Sequence, residues 1–539
     1  MAIRCGNREQ MELLPVSIEQ YVAEDAPVRA YDAFVDALDM GELGITINRF
    51  QEGNPCYDPK AMLKLLIYGY SYGVRSSRKL ERETHYNISF IWLMGGLKPD
   101  HKTIAEFRRK HKEGIKRALT QCVRLCIKLD LIAGNILFVD GSKIRGNASI
   151  KNAWTKEKCQ KALKQAERRI AEVISEAEAI DEEEAGLPSL VAVKKDLEGT
   201  GDLRERVEHI MKELTEGDKK NLNTVDKDCV VINSVHGSGA GYNAQVVVDD
   251  KHGLIVSCDA VSANNDLGQF SVQIDQANEA LGKPCHTAVA DSGYAFTEDL
   301  ARIDREKIQV IVPTQRLASG KQIGEFDKRN FRYEAENDCY RCPRGEVLVY
   351  HGLTRQKTGR VYRMKEAQTC SVCSAFGRCT TAKQGRQISR LNEEELRDRL
   401  EKEYASAENQ AIYKRRQEKV ELPYGHIKRN LGINSFLLRG REGARAEMSI
   451  LSLCFNIRRM LSLLGNKGLT AKLRQGIPAK GECAAPLLAA ESRDKPAHNS
   501  ILAAPPKAVF CISNAISFLI RRTGTIRPQP SSPIPAILS

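Results

Sequence analysis

The sequence predicts an α/β fold in which helical stretches flank a core of strands and helices, with an acidic helical stretch and a cysteine-rich stretch along the way. Three observations carry the prediction. NILFVD at 135–140 and HTAVAD at 286–291 are short apolar runs ending in an acid, the pattern of buried strands. Apolar residues recur at three- and four-residue spacing through much of 1–130 and 391–465, the mark of amphipathic helices. Five cysteines gather between 331 and 383. The chain of 539 residues has room for about three structural units at roughly 100–200 residues each. Its 42% hydrophobic and 28% charged content excludes a wholly disordered, collagenous or disulfide-miniprotein chain. The net charge of +13 points to a polyanionic partner such as nucleic acid.

Taken in order, Ala30–Leu38 and Pro59–Tyr70 read as helices, the second opened by Asp58 with Pro59 in its first turn. SSRKLERETHY at 76–86 reads as a charged helix, and Gly95–Gly96 breaks the chain. The PDHKT turn at 99–103 leads into one helix over Ile104–Cys126. Short basic helices with tight turns resemble a helix-turn-helix arrangement. After the strand at 135–140, helical sequence runs from Thr155 to about Lys220, with seven acids between Glu172 and Glu184 that call for solvent. Strand patterns return at Tyr242–Asp249, Gly253–Asp259, His286–Asp291 and Ile308–Pro313, with a helix near Leu267–Leu281. That order describes an α/β domain whose sheet begins with a hairpin. The stretch 466–539 holds nine of the 19 prolines and few acids, and reads as a loosely ordered tail.

The first residues, MAIRCGNREQMELLPV, lack the apolar core of a secretory signal. The apolar run at Ala508–Ile520 is too short for a bilayer, which needs about 20 residues. A cytoplasmic protein without membrane contact is expected. The eleven cysteines outside 331–383 are scattered, which argues for reduced thiols.

Asp140 and Asp291 each close an apolar strand, and each is followed by a small-residue turn, Gly141–Ser142 and Ser292–Gly293. An ionised acid in that place is costly unless capped, paired or metal-bound, and such strand ends open onto the ligand crevice of α/β sheets. Two aspartates could share a divalent ion, with a third oxygen ligand expected. Glu421, in AIYKRRQEKVELPYGHIKRNLG, lies seven residues from Lys428. If the helix continues past Pro423, the two share a face.

FVDGSKIRGNAS, GYNAQVVVD, VADSGYAF and VELPYGHIKR, in this order, resemble the insertion-sequence transposases of the DDE class. The likeness is to the bacterial group with a helical N-terminal domain and a cysteine-bearing insertion before the glutamate, and it runs from about Leu13 to Leu464. SSRKLERETHYNISFIWLMGGLKPDHKTIAEFRR also resembles that group. The resemblance implies a helical DNA-binding domain over 1–130 and an RNase H-like catalytic domain over 131–465. A helical insertion at 150–220 and a zinc-ribbon-like insertion at 331–383 would interrupt the latter. It implies Asp140, Asp291 and Glu421 as the metal-binding acids, and Tyr413 and Lys428 as members of the signature around the glutamate. The signature arginine stands four residues before the glutamate, where this chain has Gln417; Arg416 is one residue off. Asp266 in NNDLGQF resembles an auxiliary position.

The implied chemistry is in-line attack on a DNA phosphodiester, for which carboxylates are suitable hard ligands for magnesium or manganese. No nucleotide-binding GxxxxGK[ST] loop is present. Lys143, Tyr413, Arg416, Lys428 and Arg429 are candidate DNA contacts. The implied partners are double-stranded DNA, as terminal inverted repeats and target, and a second copy of the chain on that DNA. Spacing favours Cys339, Cys342, Cys370 and Cys373 as ligands for structural zinc, whereas the resemblance favours Cys342, Cys370, Cys373 and Cys379. The competing expectations are an RNase H-like nuclease without strand transfer and an inactive copy that only binds DNA.

Overall fold

The computed structural model describes residues 17–45, 56–182, 187–234, 237–318, 324–355 and 357–475. The first helices are α1 (Pro27–Asp36), α2 (Pro59–Ser71), α3 (Ser77–Tyr86) and α4 (Ile88–Leu93). Asp58 caps α2, accepting from the Lys60 and Ala61 amides, and Pro59 occupies the first turn where its missing N–H costs nothing. Leu65, Leu66, Ile67 and Tyr70 on α2 are fully buried, each contributing about 1.5–3 kcal/mol.

The helix expected over 104–126 is two helices, α5 (His101–Lys110) and α6 (Lys112–Lys128). Asp100 caps α5 through the Thr103 amide at 2.8 Å, and His111 leaves helical dihedrals at φ −105°, ψ 33°. Each side of the break is pinned separately. Arg108 is buried and bonds Tyr70 Oη and the Arg75 carbonyl, both at 3.0 Å. Gly114 lies so close to the 43–45 segment that a Cβ would sit 2.6 Å from Ile45 and 2.9 Å from the Leu43 carbonyl.

The first strand, β1 (Ile136–Arg145), is longer than expected. Its pairing with β5 persists from Leu137 opposite Asp249 to Arg145 opposite Gly241, so Asp140 lies within the strand and not at its end. A two-residue pair, β2 (Ala153–Trp154) with β3 (Leu222–Asn223), stands beside the helices α7 (Lys156–Glu182) and α8 (Leu187–Glu216), which pack on each other. Then come β4 (Val230–Ser234), β5 (Gly237–Asp249), β6 (Ile255–Val261), α9 (Phe270–Leu281), β7 (Thr287–Val289), α10 (Thr297–Arg305), β8 (Gln309–Ile311) and α11 (Gln315–Ala318). The principal sheet runs β6–β5–β1–β7–β8. β5 is antiparallel to β1 and β6, whereas β7 and β8 run parallel to β1. β4 pairs with the start of β5.

The cysteine-bearing stretch is an antiparallel meander of β9 (Arg332–Glu334), β10 (Cys339–Arg341), β11 (Val347–Leu353), β12 (Gly359–Met364) and β13 (Gln387–Leu391), with α12 (Ala367–Ser371) before the last strand. It has its own small core around Tyr340, Leu348, Tyr362 and Ile388. The closing helices are α13 (Glu394–Tyr404), α14 (Ala407–Gly425), α15 (Arg441–Leu464) and α16 (Asn466–Gln475), with a π-helical turn at His426–Asn430 after α14. α15 is buried nearly all round. Its Asn456 bonds both the amide and the carbonyl of Ile255 at 2.8 Å, stitching it to β6.

The tail expected from 466 begins with an ordered helix. Leu469 and Leu473 are buried, and Asn466 Nδ2 donates to the Asp25 carbonyl at 2.8 Å. The rest of that expectation, 476–539, lies outside the described residues. One hydrophobic cluster extends from Val22 to Leu473, so the N-terminal helices and the sheet share a core. No single described helix is long and apolar enough to cross a membrane.

Candidate active site

β1 and β7 run side by side with Phe138 opposite Val289. Two residues on, Asp140 and Asp291 therefore stand level, the first within its strand and the second just past the end of a shorter one. Asp291 Oδ1 accepts from the Gly293 amide at 2.8 Å, which caps the turn Ser292–Tyr294. Asp140 is held less comfortably. Burial pushes its carboxyl up to about 6, with Asp291 and Asp266 adding to the rise and Arg416 opposing it. The site thus gathers negative charge that one guanidinium only partly offsets.

Side chains alternate along β1, so Asp140 and Ser142 face one way and Gly141 and Lys143 the other. α14 lies across the first face. Arg416 Nη1 is 3.2 Å from Asp140 Oδ1, and Tyr424 Oη donates to the carbonyls of Asp140 and Ala244 at 3.1 and 2.6 Å. Lys428 Nζ bonds Ser142 Oγ, and burial lowers its pKa while Asp140 opposes the shift. The Tyr413 ring lies 5.6 Å from the Arg416 guanidinium, and burial pushes the Tyr413 hydroxyl up. Arg416, one residue away from the expected register, is the arginine that reaches Asp140.

Glu421 is exposed on the same helix, next to buried Val420, and accepts from Gln417 Nε2 at 2.9 Å. It does not share the inward face of Lys428. The helix does continue past Pro423, but the π turn at His426–Asn430 changes the phase of the residues after it. Arg429 is exposed. Among the described residues, no three acid, thiol or imidazole groups converge as a metal-holding cluster.

On the second face of β1, Asp266 and Lys143, both nominated from sequence, meet Asn243, Gln245 and Tyr294, which sequence reasoning passed over. Asp266 Oδ1 accepts from Asn243 Nδ2 at 2.7 Å and Gln245 Nε2 at 2.8 Å, and Lys143 Nζ is 4.0 Å away. Tyr294 Oη donates to Gln245 Oε1. All three partners, Asn243, Gln245 and Tyr294, are fully buried. A Cβ on Gly141 would collide with Asp266 and lie within 2.5 Å of Gln245 and 3.0 Å of Tyr294 Oη. Glycine at 141 is what lets this network close behind Asp140. The available signal was the polar alternation of Asn243 and Gln245 in an otherwise apolar strand.

In the meander, Cys342, Cys370, Cys373 and Cys379 line a cavity of about 30 Å³ with Phe326, Met364 and Arg386. Cys370 Sγ accepts from the Arg386 amide at 3.3 Å and Cys373 Sγ from the Ala375 amide at 3.5 Å. Cys339 stands apart, its thiol donating to Glu334 Oε2 at 3.5 Å.

Two family descriptions match the chain: Transposase domain (DUF772) over residues 16–110 and Transposase DDE domain over residues 341–461. No curated protein matches. A solved structure, the cryo-EM structure of a piggyBac transposase synaptic complex with hairpin DNA, is similar over 84% of this chain and 79% of that one, at 9% identity and a TM-score of 0.32.

Proposed function

We propose that this chain, a transposase of the DDE class, binds the ends of its own element and cleaves and joins DNA strands at Asp140, Asp291 and Glu421. The observation that carries the assignment is the level placement of Asp140 and Asp291 on parallel strands beneath α14. The strand order β6–β5–β1–β7–β8, with three antiparallel strands followed by two parallel to the first, supports an RNase H-like core. The match at 16–110 falls within the helical DNA-binding stretch proposed at 1–130, and the match at 341–461 falls within the catalytic region proposed at 131–465; the helix pair α7–α8 and the meander β9–β13 support the insertions at 150–220 and 331–383.

The donor set fits divalent magnesium or manganese. Asp140 is pushed up by burial and by two neighbouring aspartates, a strain that a hard cation relieves. Asp140 and Asp291 would hold it; Glu421, exposed on α14 and bonded to Gln417, would complete the set only by turning toward them. When bound, such a cation would supply charge stabilisation for the attacking and leaving oxygens of an in-line displacement. The chain's own groups do the rest. Arg416 orients Asp140, Tyr424 fixes the β1 backbone against α14, and Lys143, Lys428 and Arg429 supply cations for phosphate oxygens.

For structural zinc, the shared lining of one cavity favours Cys342, Cys370, Cys373 and Cys379, which would have to draw together around the ion, and the Glu334 partner of Cys339 argues against the alternative. A homodimer on DNA and a cytoplasmic location complete the proposal; the net charge of +13 supports both DNA association and solubility.

The test is strand cleavage and joining on a plasmid carrying the DNA that flanks this gene. Magnesium-dependent joined products, lost with EDTA and with Asp291→Asn, are the expected result. Cleavage without joining would favour the nuclease, and binding without cleavage under any metal would leave a DNA-binding copy.

A further inference from the structure

α3 is anchored by a thin edge. Leu80 and Thr84 are its buried residues, and Leu80 packs so tightly on α2 that a Cβ on Gly69 would strike it. It is braced from outside at its start and its middle: Arg108 Nη2 reaches Ser77 Oγ at 3.4 Å, and His101 Nδ1 lies 2.8 Å from Glu81. The opposite side carries Arg78, Lys79, Arg82, His85 and Tyr86, all exposed. At 3.6 residues per turn these five fall within about 120° of arc. Glu83 sits at the margin, pairing with Arg82 at 3.0 Å and accepting from Asn87. Glu81 is turned toward α5. No acid lies within the row.

Tyr86 is 83% exposed at the end of this row, with the His85 ring 6.1 Å away. Three cations beside a protruding aromatic ring match what phosphate oxygens and base edges offer together. The helix is 10 residues long, hence about 15 Å, and slender enough for a major groove of about 12 Å. α5 offers less. Its Arg108 is buried and its Arg109 is engaged by Glu106 at 2.6 Å.

We propose that the exposed face of α3 docks in the major groove of duplex DNA, with Arg78, Lys79 and Arg82 on phosphates and Tyr86 against base edges. This deepens the transposase reading and rests on it. The occupant is DNA, because the row is wholly cationic and aromatic while the matched transposase domain spans it.

The experiment measures binding of the full chain to two duplexes, one copied from the DNA flanking this gene and one with that sequence scrambled, across a range of salt concentrations. The triple variant Arg78→Ala/Lys79→Ala/Arg82→Ala is expected to reduce the slope of log affinity against log salt by about 2 to 3. Tyr86→Ala is expected to narrow the preference for the flanking duplex. Lys212→Ala, an exposed cation on α8, serves as control and keeps the wild-type slope. Circular dichroism checks folding. If the triple variant is misfolded, Arg78→Ala alone must lower the slope by about one. Wild-type slope and preference in the α3 variants, with the wild-type chain binding DNA, would overturn the proposal and leave the transposase reading intact. A wild-type chain that binds neither duplex would overturn the reading itself.

Discussion

Breaking the pair between Arg75 and Glu447 should unseat the N-terminal helices from the catalytic region. The Glu447 side chain is fully buried on α15, and Arg75, 15% exposed, precedes α3. Arg75 Nη1 donates to Glu447 Oε1 and to the Ser435 carbonyl, both at 2.9 Å. Glu447 Oε2 accepts from the Leu437 and Leu438 amides at 2.7 and 3.0 Å. Glu447→Ala therefore deletes three hydrogen bonds to a buried carboxylate and leaves Arg75 without its counter-ion. Such a break costs about 3–5 kcal/mol. Arg75→Met should cost about the same, because it strands the carboxylate. The double variant Arg75→Met/Glu447→Leu should recover at least about 1 kcal/mol relative to the sum, since neither charge then remains unpaired. Urea denaturation followed by circular dichroism, with the full cycle of variants, measures this. Additive effects within about 0.5 kcal/mol would refute the reasoning, as would single variants that cost less than about 1 kcal/mol.

Gly141→Ala should place a Cβ against Asp266, Gln245 and Tyr294 and cost about 1–3 kcal/mol of stability; cleavage should fall at least tenfold in protein that still melts cooperatively, and a fully active variant would mean the network can yield. Tyr424→Phe should cost about 0.5–1.5 kcal/mol by removing the hydroxyl that ties α14 to the Asp140 and Ala244 carbonyls, which keep their partners in the β1–β5 ladder, and a thermal melt reads the loss. Asp140→Asn, Asp291→Asn and Glu421→Gln should each abolish cleavage while sparing DNA binding, and near-normal cleavage by any one removes that residue from the site. Burial holds the pKa of His426 below its ordinary value. Its contribution to stability is therefore present above about pH 6.5 and is lost as pH falls through the depressed value. His426→Gln should flatten that part of the stability–pH curve, and an unchanged slope counts against it. Cys379→Ser should lower the zinc content of the purified chain by elemental analysis while Cys339→Ser leaves it unchanged; the reverse pattern would favour the other ligand set.

Much of the fold could be read locally because its signals are local. Asp58–Pro59 opens α2 where expected, since a cap and a fixed φ act within one turn. The apolar runs at 135–140 and 286–291 became β1 and β7 because a buried strand needs little beyond continuous hydrophobicity. Order along the chain was enough to nominate Asp140, Asp291 and Glu421, and the cysteine spacing was enough to nominate a metal knuckle.

Tertiary structure decided what depends on partners distant in sequence. β1 runs through Asp140 to Arg145 because β5, about a hundred residues on, offers matching backbone groups. The break at His111 follows from Tyr70 and Ile45 pinning the two halves of one apparent helix. The π turn after α14 directs Lys428 to Ser142 and leaves Glu421 facing solvent, a phase change that no residue spacing announces. The identity of the arginine beside Asp140 and the use of Gly141 as a gap for Asp266, Gln245 and Tyr294 were settled in the same way. Composition and periodicity determine which segments are helix or strand, because those preferences act over a few residues. Which carboxylates meet is set by register and packing, because only the folded chain brings residues 140, 266, 291 and 416 together.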